Sequence, residues 1–314
     1  MNLLFTSIGR RVELVQAFQN AAKKLGLSLT IFGADISPYA PALQFCDNKV
    51  QVPNISDVSY IPKLKEICID NHIDALIPTI DTDLLLLSKN KMEFGETKVI
   101  ISAPEKIALC RDKRLTADYF HSIGLQSPQP VDDIEKYSNL FPAFIKPKDG
   151  SSSKFAYKVQ NIAELQAYAA QIPNYIIQPF VDGIEYTVDI FCDMDSNPIF
   201  ITPRIRLAVR AGEVLKTEIC QDHSIIEEMT QLISDFKPIG QITVQLIKEK
   251  QTGVNYYIEI NPRFGGGAPL SILAGADSAE MMLRILNGEH PSYQPLAAEN
   301  GAVFSRFDQS IRVK

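Results

Sequence analysis

The chain of 314 residues is long enough for two or three subdomains with cores of their own, and its 46% hydrophobic and 22% charged residues are the balance of a soluble globular protein. A net charge of −6 excludes the global basic field that holds nucleic acid. Five separated cysteines and four scattered histidines exclude a disulfide framework and a zinc cluster, and the lack of a signal-peptide pattern or long apolar segment predicts a cytoplasmic protein without a membrane partner.

The first third of the chain alternates strands with helices. A strand is predicted at 2–6, a helix from Val12 that Gly26 ends, and a second buried strand in LSLTIFGAD. The same order continues through NKVQVP, SYIPKLKEICIDNH and DALIPTI. Residues 1–105 are therefore predicted to form an α/β domain with a doubly wound parallel sheet, whose ligands bind at the carboxyl ends of the strands.

The segment SIGRR at 7–11 joins the first strand to the first helix, a position where backbone N–H groups favour an anion. The G-x-G-x-x-G fingerprint of dinucleotide binding is incomplete, because only Gly9 is present. An NAD-dependent oxidoreductase is therefore only a weak alternative. Arg10 or Arg11 either holds an anionic part of a substrate or is a helix-capping surface arginine.

From about residue 106 the pattern changes to α+β. Residues 106–182 are predicted to hold the helix EKIALCRDKRLTADYFHSIGL, two strands in FPAFIKPKDGSSSKFAYKV, and a helix that begins with a capping box of Asn161 and Glu164. Residues 183–314 are predicted to form a mostly antiparallel sheet with the helix SIIEEMTQLISDF, the hairpin QITVQLIKEKQTGVNYYIEINP and the helix APLSILAGADSAEMMLRILNG.

The hairpin places polar side chains on one face. If Gln251 to Gly253 form a three-residue loop with Gly253 in the left-handed conformation, antiparallel pairing puts Gln245 opposite Glu259, with Asn261 on the same face. The other face then carries Val244, Leu246, Ile258 and Ile260. A carboxylate and two amide oxygens suit Mg²⁺, with Mn²⁺ as the alternative metal, provided that a nucleotide completes the site. A solvated cross-strand pair of Gln245 and Glu259 is the alternative interpretation.

Three other segments carry candidate polar contacts. Lys146 lies in FIKP, before a small-residue loop whose backbone N–H groups and hydroxyls suit phosphates, and Lys113 lies at a predicted helix start in RDKRL. The third segment, IIQPFVDGIEYTVD, combines an apolar strand with a carboxylate, as a base and a ribose require. A surface lysine beside a turn is the alternative for Lys146, and Lys113 taken alone is better explained as an exposed charge.

Together these motifs resemble the ATP-grasp superfamily, and within it the carbamoyl-phosphate-synthase-like carboxylate–amine ligases, over about residues 105–290. The resemblance implies a two-lobed ATP-grasp fold after a Rossmann-like domain at 1–105, with a small lobe at 106–182 and a large lobe at 183–314. The nucleotide contacts it implies are Lys113 and Lys146, a lid of Ser151, Ser152 and Ser153, the adenine contacts Gln178, Phe180 and Val181, and the ribose contact Glu185. The metal ligands it implies are Gln245, Glu259 and Asn261, with Arg263 near the γ-phosphate.

The chain departs from the family pattern in three places. The lid is SSS where relatives usually have more glycine, Gln178 stands where many have an acid, and Gln245 replaces a carboxylate. The first two changes bear on nucleotide affinity and loop mobility, whereas a glutamine at the metal position is also found in the carbamoyl-phosphate-synthase branch. A carbamoyl-phosphate synthase carries two such halves and this chain has one, so synthesis of carbamoyl phosphate by this chain alone is not expected.

The implied activity is phosphorylation of a carboxylate by ATP to an acyl phosphate, which an amine then attacks. Magnesium would bridge the β- and γ-phosphate oxygens, and the substrates would be small carboxylates and amines, with amino acids or peptides favoured. Relatives often form homodimers, which makes a homodimer possible here, although no feature of this sequence indicates one. A nucleotide-binding sensor or scaffold without turnover is the alternative from another class.

Two arginines and a glycine run complete the candidate set. Arg206 and Arg210, in PRIRLAVRAG, lie where the family places acceptor or acyl-phosphate contacts, although a solvated strand face is equally compatible with either. Gly265–Gly267, in IEINPRFGGG, lack the Lys-Ser/Thr of a P-loop. We expect them to give the chain a tight path under bound phosphates.

Overall fold

The computed structural model describes residues 1–138, 140–149 and 155–314. Within these ranges the strands form three sheets that follow one another along the chain. The predicted α/β organisation, a parallel N-terminal sheet followed by antiparallel sheets, is confirmed. The predicted lid residues Ser151, Ser152 and Ser153 lie outside the described residues, and their role stays a prediction.

The first sheet is built from short apolar runs that alternate with helices. Its five parallel strands are β1 (Asn2–Thr6), β2 (Thr30–Asp35), β3 (Asn48–Gln51), β4 (Ala75–Pro78) and β5 (Lys98–Val99). Its helices are α1 (Val12–Leu25), α2 (Tyr60–Asp70) and α3 (Asp81–Asn90). The order β3-β2-β1-β4-β5 reverses between β1 and β4, so the ligand crevice of this sheet lies between the loops that follow those two strands.

Both faces of the first sheet are covered, as its nearly continuous apolar strands require. Leu3 and Phe5 of β1 pack in the cluster that includes α1, whereas Leu4 belongs to the cluster under α2 and α3. Helix α1 ends as predicted at Gly26, whose φ of 66° is the left-handed cap conformation.

The second sheet is small and antiparallel, with the order β7-β6-β8. Its elements are α4 (Pro104–Arg111), α5 (Lys113–Ser122), β6 (Ala143–Pro147), β7 (Tyr157–Val159), α6 (Ile162–Ala169) and β8 (Tyr175–Pro179). The predicted helix at 105–125 is divided, because Asp112 is extended and its carboxylate caps α5 by accepting from the Arg114 N–H. Lys113 is consequently the first residue of α5, as predicted.

The capping box at α6 is confirmed in its first half. Asn161 Oδ1 accepts from the Glu164 N–H at 3.0 Å. The Glu164 carboxylate reaches back one residue further than expected, to the Gln160 N–H at 2.8 Å.

The third sheet is antiparallel, with its six strands followed or flanked by three helices. The strands are β9 (Gly183–Cys192), β10 (Pro198–Arg210), β11 (Glu213–Ile219), β12 (Gly240–Glu249), β13 (Asn255–Asn261) and β14 (Val303–Ser305), in the order β13-β12-β9-β10-β11-β14. The helices are α7 (His223–Phe236), α8 (Ala268–Leu273) and α9 (Ser278–Leu286). Short 3-10 helices lie at Pro41–Phe45, Lys91–Phe94 and Ile134–Lys136.

The prediction of one long helix after the glycine run is wrong. The chain breaks between α8 and α9, where Gly275 has a φ of 117° that an L side chain rarely adopts. Asp277 then caps α9 by accepting from the Glu280 N–H at 2.9 Å. The apolar periodicity continues across the break, which is why the pattern alone predicts a single helix.

The first and third sheets share one hydrophobic core. It joins α1 to α8 and α9, and the ring of Phe18 lies 5.1 Å from Phe5 and 5.9 Å from Phe264. These edge-on aromatic contacts hold β1 against the segment that follows β13. The crevice between β1 and β4 therefore opens beside the end of the predicted metal hairpin.

Candidate active site

A cavity of about 790 Å³ is lined by residues of the second and third sheets. Its walls include most of the residues predicted from the sequence: Lys113, Lys146, Gln178, Phe180, Val181, Glu185, Arg206, Gln245 and Glu259. These positions span more than a hundred residues of chain, and the fold brings them to one place. Asn261 and Arg263 continue from Glu259 toward the first sheet.

The predicted pairing of Gln245 with Glu259 is confirmed, although the connection that produces it differs. The pairs nearest the turn show a loop of four residues, 250–253, rather than three, with Gly253 in the expected left-handed conformation. A β-bulge at Ile258 then restores the register. Asn261 Nδ2 donates to Glu259 Oε1 at 3.0 Å, so the carboxylate and the two amides form one polar row.

The bulge also changes which side chains face the core. Ile258, predicted on the buried face, lines the cavity beside Glu259. Tyr257 takes the buried position, where it packs with Leu246 and donates its hydroxyl to Glu228 at 2.6 Å. The cavity therefore gains an apolar wall next to its carboxylate.

Two lysines place positive charge in the cavity. Lys146, on β6, is 8% exposed, and burial lowers the pKa of its ammonium to about 8, with Glu259 raising it and Lys113 lowering it further. Burial likewise lowers the pKa of Lys113, against the opposing effect of Glu259. Both ammonium groups thus lie where desolvation opposes their charge and an anion would restore it.

The strand β8 and the turn after it form the opposite wall. The Gln178 amide Nε2 donates to the Pro128 carbonyl at 2.5 Å, which fixes the orientation of this buried side chain. Lys158 Nζ lies 3.7 Å from the centre of the Phe180 ring. This wall offers apolar surface and an ordered amide, with Val181 buried beside them.

The structure separates the two arginines of β10. Arg206 lines the cavity and is held by Glu185 at 3.2 Å, by the Thr187 hydroxyl at 3.2 Å and by the Gly212 carbonyl at 3.1 Å. Burial lowers the pKa of this guanidinium. Arg210 lies outside the cavity wall, exposed, and pairs with Asp308 at 2.8 Å.

Arg263 reaches from the end of the β12–β13 hairpin, the predicted metal hairpin, to the first sheet. Its Nε and Nη2 donate to the two carboxylate oxygens of Asp81 at 3.0 and 2.5 Å, and Nη2 also lies 3.4 Å from Asn261 Oδ1. Asp81 is the first residue of α3, directly beyond β4. The predicted γ-phosphate arginine is thereby bound to the crevice of the N-terminal sheet.

The glycine run is required by close approach rather than by backbone conformation, since none of its members has positive φ. An added Cβ would lie 2.8 Å from the Thr243 hydroxyl at Gly265, 2.8 Å from Arg11 Nη1 at Gly266 and 2.5 Å from Arg204 Nη2 at Gly267. Side chains from β12, from the loop before α1 and from β10 therefore fill the space that Cβ atoms here would occupy.

Family models match both parts of the chain. A PylC-like N-terminal domain model matches residues 3–102, and an ATP-grasp domain model matches residues 110–267, which contain the cavity residues described above. The chain belongs to the ATP-grasp family.

Several proteins are similar to this ATP-grasp chain. A carbamoyl-phosphate synthase of Methanobrevibacter smithii is 26% identical over 221 residues, which is 64% of this chain and 60% of that protein. A 3-methyl-D-ornithine–L-lysine ligase of Methanosarcina mazei is 25% identical over 278 residues, 87% of this chain and 70% of the ligase. The N5-carboxyaminoimidazole synthetase of Staphylococcus aureus, solved with ADP, has the same fold, with a TM-score of 0.76, 16% identity and coverage of 93% of this chain and 79% of that one.

The donor set of this ATP-grasp cavity fits a nucleotide with a divalent metal. Two buried ammonium groups suit phosphate oxygens, and one carboxylate beside two amides suits Mg²⁺ when phosphates supply further oxygens. The described residues contain no group of three His, Cys, Asp or Glu side chains placed to hold a metal. A metal here would thus need amide and phosphate oxygens in addition to the one carboxylate, that of Glu259.

Sequence reasoning missed three residues of this ATP-grasp site. Asp81 could have been found by the rule that ligands bind where strand order reverses, because it follows β4. Arg204 and Asp189 form a buried ion pair at 2.8 Å under Gly267, and the Asp189 carboxylate also accepts from Thr243 and Ser271. No local pattern signals that pair.

A second cavity, of about 530 Å³, lies along α9, away from this ATP-grasp site. Its buried carboxylate, Glu280, is already paired with Lys24 at 2.5 Å and Arg284 at 2.9 Å. Across the described ranges, no helix has the length and apolar character needed to cross a membrane.

Proposed function

We propose that the protein is an ATP-dependent ligase that activates a carboxylate as an acyl phosphate and passes it to an amine, with ADP and phosphate as the other products. The observation that carries this proposal is the convergence of Lys113, Lys146 and Glu259 in one cavity, continued by Asn261 to Arg263. A division into an N-terminal domain at 1–105, a small lobe at 106–182 and a large lobe at 183–314 is part of the proposal.

The nucleotide would lie along the cavity with its base against β8. The ordered amide of Gln178 and the apolar surface of Phe180 and Val181 suit a purine, and Glu185 suits the ribose hydroxyls. Lys146 and Lys113 would then hold the phosphates, since both ammonium groups line the cavity and burial lowers the pKa of each, an effect that a phosphate would offset. Ser151, Ser152 and Ser153 are proposed to cover them.

Gln245, Glu259 and Asn261 would hold Mg²⁺, with Mn²⁺ as the alternative. The metal would supply charge neutralisation of the phosphate oxygens in the transition state. The role of the chain is to fix this polar row across β12 and β13, where β-sheet pairing leaves the side chains little freedom.

The chemistry requires cations beside the transferred group. A carboxylate oxygen of the substrate attacks the γ-phosphorus as the bond to ADP breaks; the amine nitrogen then attacks the acyl carbon, phosphate leaves, and the amine loses its proton to solvent. Arg206, fixed by three hydrogen bonds, would offset negative charge at the acyl phosphate. Arg263 would do so at the γ-phosphate, whereas exposed Arg210 is proposed to contact the acceptor only.

The acceptor would enter at the crevice between β1 and β4. The Arg11 guanidinium there is 18% exposed and faces the Thr79 carbonyl at 3.5 Å and Glu213 at 3.9 Å. Burial, with Arg263 nearby, lowers the pKa of Arg11 to about 10, so it remains charged and suits a carboxylate. The amino-acid ligase among the similar proteins supports amino acids or peptides as substrates.

A screen for phosphate release tests the proposal. The protein is incubated with Mg-ATP and pooled amino acids and peptides, and acceptor-dependent phosphate release is expected. Mg-ATP binding without release in any pool would favour the sensor instead. A rise in melting temperature with NAD(P) but not with Mg-ATP would favour the oxidoreductase and contradict the ligase.

A further inference from the structure

The Arg263 guanidinium is almost fully occupied by protein groups. Its Nε and Nη2 donate hydrogen bonds to the Asp81 carboxylate. Nη2 also lies against Asn261 Oδ1, and Nη1 donates to the Phe264 carbonyl at 3.1 Å. A guanidinium has five N–H donors in a fixed fork. Asp81 holds the fork formed by Nε and Nη2, one of the two paired donor edges through which a guanidinium can bind a phosphate.

The position of Asp81 favours its bidentate ion pair with Arg263. It lies at the N-terminus of α3, where the helix favours a negative charge, and the preceding residue, Ile80, is extended. The Asp81 side chain is 30% exposed and that of Arg263 is 12% exposed, so the pair is partly shielded from water. A bidentate pair in such a setting is stronger than a surface ion pair.

The ion pair of Asp81 and Arg263 connects the crevice proposed for the acceptor to the site proposed for the γ-phosphate. Arg263 belongs to the segment that follows the metal hairpin, whereas Asp81 lines the crevice beside Arg11, whose pKa responds to both of them. Gly266 packs on the Arg11 guanidinium, so the charged groups of the crevice lie next to the segment that carries Arg263. A change at Asp81 is therefore felt at Arg263.

We propose that Asp81 is a positioning residue that acts through Arg263 and competes with the γ-phosphate for its guanidinium. This inference rests on the proposed function, because it assumes that a nucleoside triphosphate occupies the cavity. The N-terminal domain then controls when the arginine reaches the phosphate: a substrate group that engages Asp81 releases Arg263. The consequence is that ATP is used only when the crevice is filled.

Nucleotide affinity measured by calorimetry tests this competition without any acceptor. ADP and the non-hydrolysable analogue AMP-PNP, each with Mg²⁺, are titrated into the wild-type protein and Asp81→Asn. The variant is expected to bind AMP-PNP about tenfold more tightly, the lower range of what a hydrogen bond to a charged group contributes, with ADP affinity unchanged. A purely structural role of Asp81 would move both nucleotides together.

Matched variants complete the test. Asp81→Glu retains the charge and is expected to keep the wild-type ratio of the two affinities, as is Asp70→Asn at an exposed site on α2. In an Arg263→Ala background, Asp81→Asn should no longer change the ratio. An unchanged or lower AMP-PNP affinity in folded Asp81→Asn overturns the inference, whereas a wild-type protein that binds neither nucleotide overturns the proposed function.

Discussion

Gln245 and Glu259 lie directly opposite each other across β12 and β13, and Asn261 Nδ2 donates to the Glu259 carboxylate at 3.0 Å. Glu259 is thus the single carboxylate of the polar row. Hard divalent cations bind mainly through carboxylate charge, so this one residue carries most of the metal affinity expected here.

Glu259→Gln is expected to lower ATP-dependent turnover by about a hundredfold or more, the scale of losing one preorganised transition-state contact. The measurement is the rate of phosphate release against Mg²⁺ concentration. Glu249→Gln, on the same strand pair but beside the loop, removes a carboxylate of the same type away from the cavity. Equal loss in both variants would remove the metal assignment of Glu259.

The Lys146 ammonium should give nucleotide binding an alkaline limit. Its pKa is lowered to about 8, so it is charged below that pH and neutral above it, while bound phosphate favours the charged form. Affinity for Mg-ADP is expected to fall up to about tenfold per pH unit above pH 8.

Calorimetry between pH 7 and about 9.5 measures this limit, with Lys146→Arg as the comparison because a guanidinium stays charged throughout. If the two proteins lose affinity in parallel, another group is responsible.

Gly266 and Gly267 should differ in how much stability is lost when a methyl group is added. At Gly267 a Cβ meets the buried Arg204 guanidinium, which Asp189 holds, and Val214 Cγ1 at 2.7 Å. Gly267→Ala is expected to destabilise the protein by about 1–3 kcal/mol, as overpacking does. At Gly266 the neighbour is the terminal Nη1 of Arg11, which can move, so Gly266→Ala should cost less. Urea unfolding compares them, and a larger loss at Gly266 would contradict the packing argument.

Asp83 should make stability fall as pH rises from about 4 to 6. Burial raises the pKa of this carboxyl from 3.8 to about 6, against the hydrogen bonds from Ser7, Thr6 and Tyr60. Between these values the folded state binds more protons than the unfolded state, so the charged form costs about 3 kcal/mol above pH 6.

Asp83→Asn cannot titrate and should lack this component. Urea unfolding of both proteins from pH 4 to 7 measures it, because the other carboxylates contribute equally to each. A wild-type-minus-variant difference that does not change with pH would contradict the assignment to Asp83.

Local patterns were sufficient for the longer strands, for the cap at Gly26 and for the pairing of Gln245 with Glu259, because period-two alternation and turn residues act within a few positions. The short strands β5 and β14 and the helix α3 were not predicted. Two local errors compensated each other: the loop is one residue longer than predicted, and the bulge at Ile258 absorbs the difference. A bulge depends on packing against a partner, and the hairpin sequence does not signal it.

Ion pairs between residues far apart in the chain could not be predicted from the sequence. Arg263 and Asp81 are 182 positions apart, and nothing near either residue indicates the other. The same holds for Arg204, a buried cation in a strand that also carries the exposed Arg210. The alternation of side chains along a strand cannot tell which of these arginines is buried, because burial along β10 decreases toward the hairpin tip.

Oxygen-18 transfer shows whether the γ-phosphate passes to a substrate carboxylate. Acceptor amino acids labelled with oxygen-18 in their carboxylates are turned over with Mg-ATP and an amine, and the phosphate released is analysed by mass spectrometry. The carboxylate oxygen that attacks the γ-phosphorus leaves with the phosphate, so one labelled oxygen is expected in each phosphate formed with product. Unlabelled phosphate, or AMP and pyrophosphate in place of ADP and phosphate, would contradict the proposed acyl-phosphate mechanism.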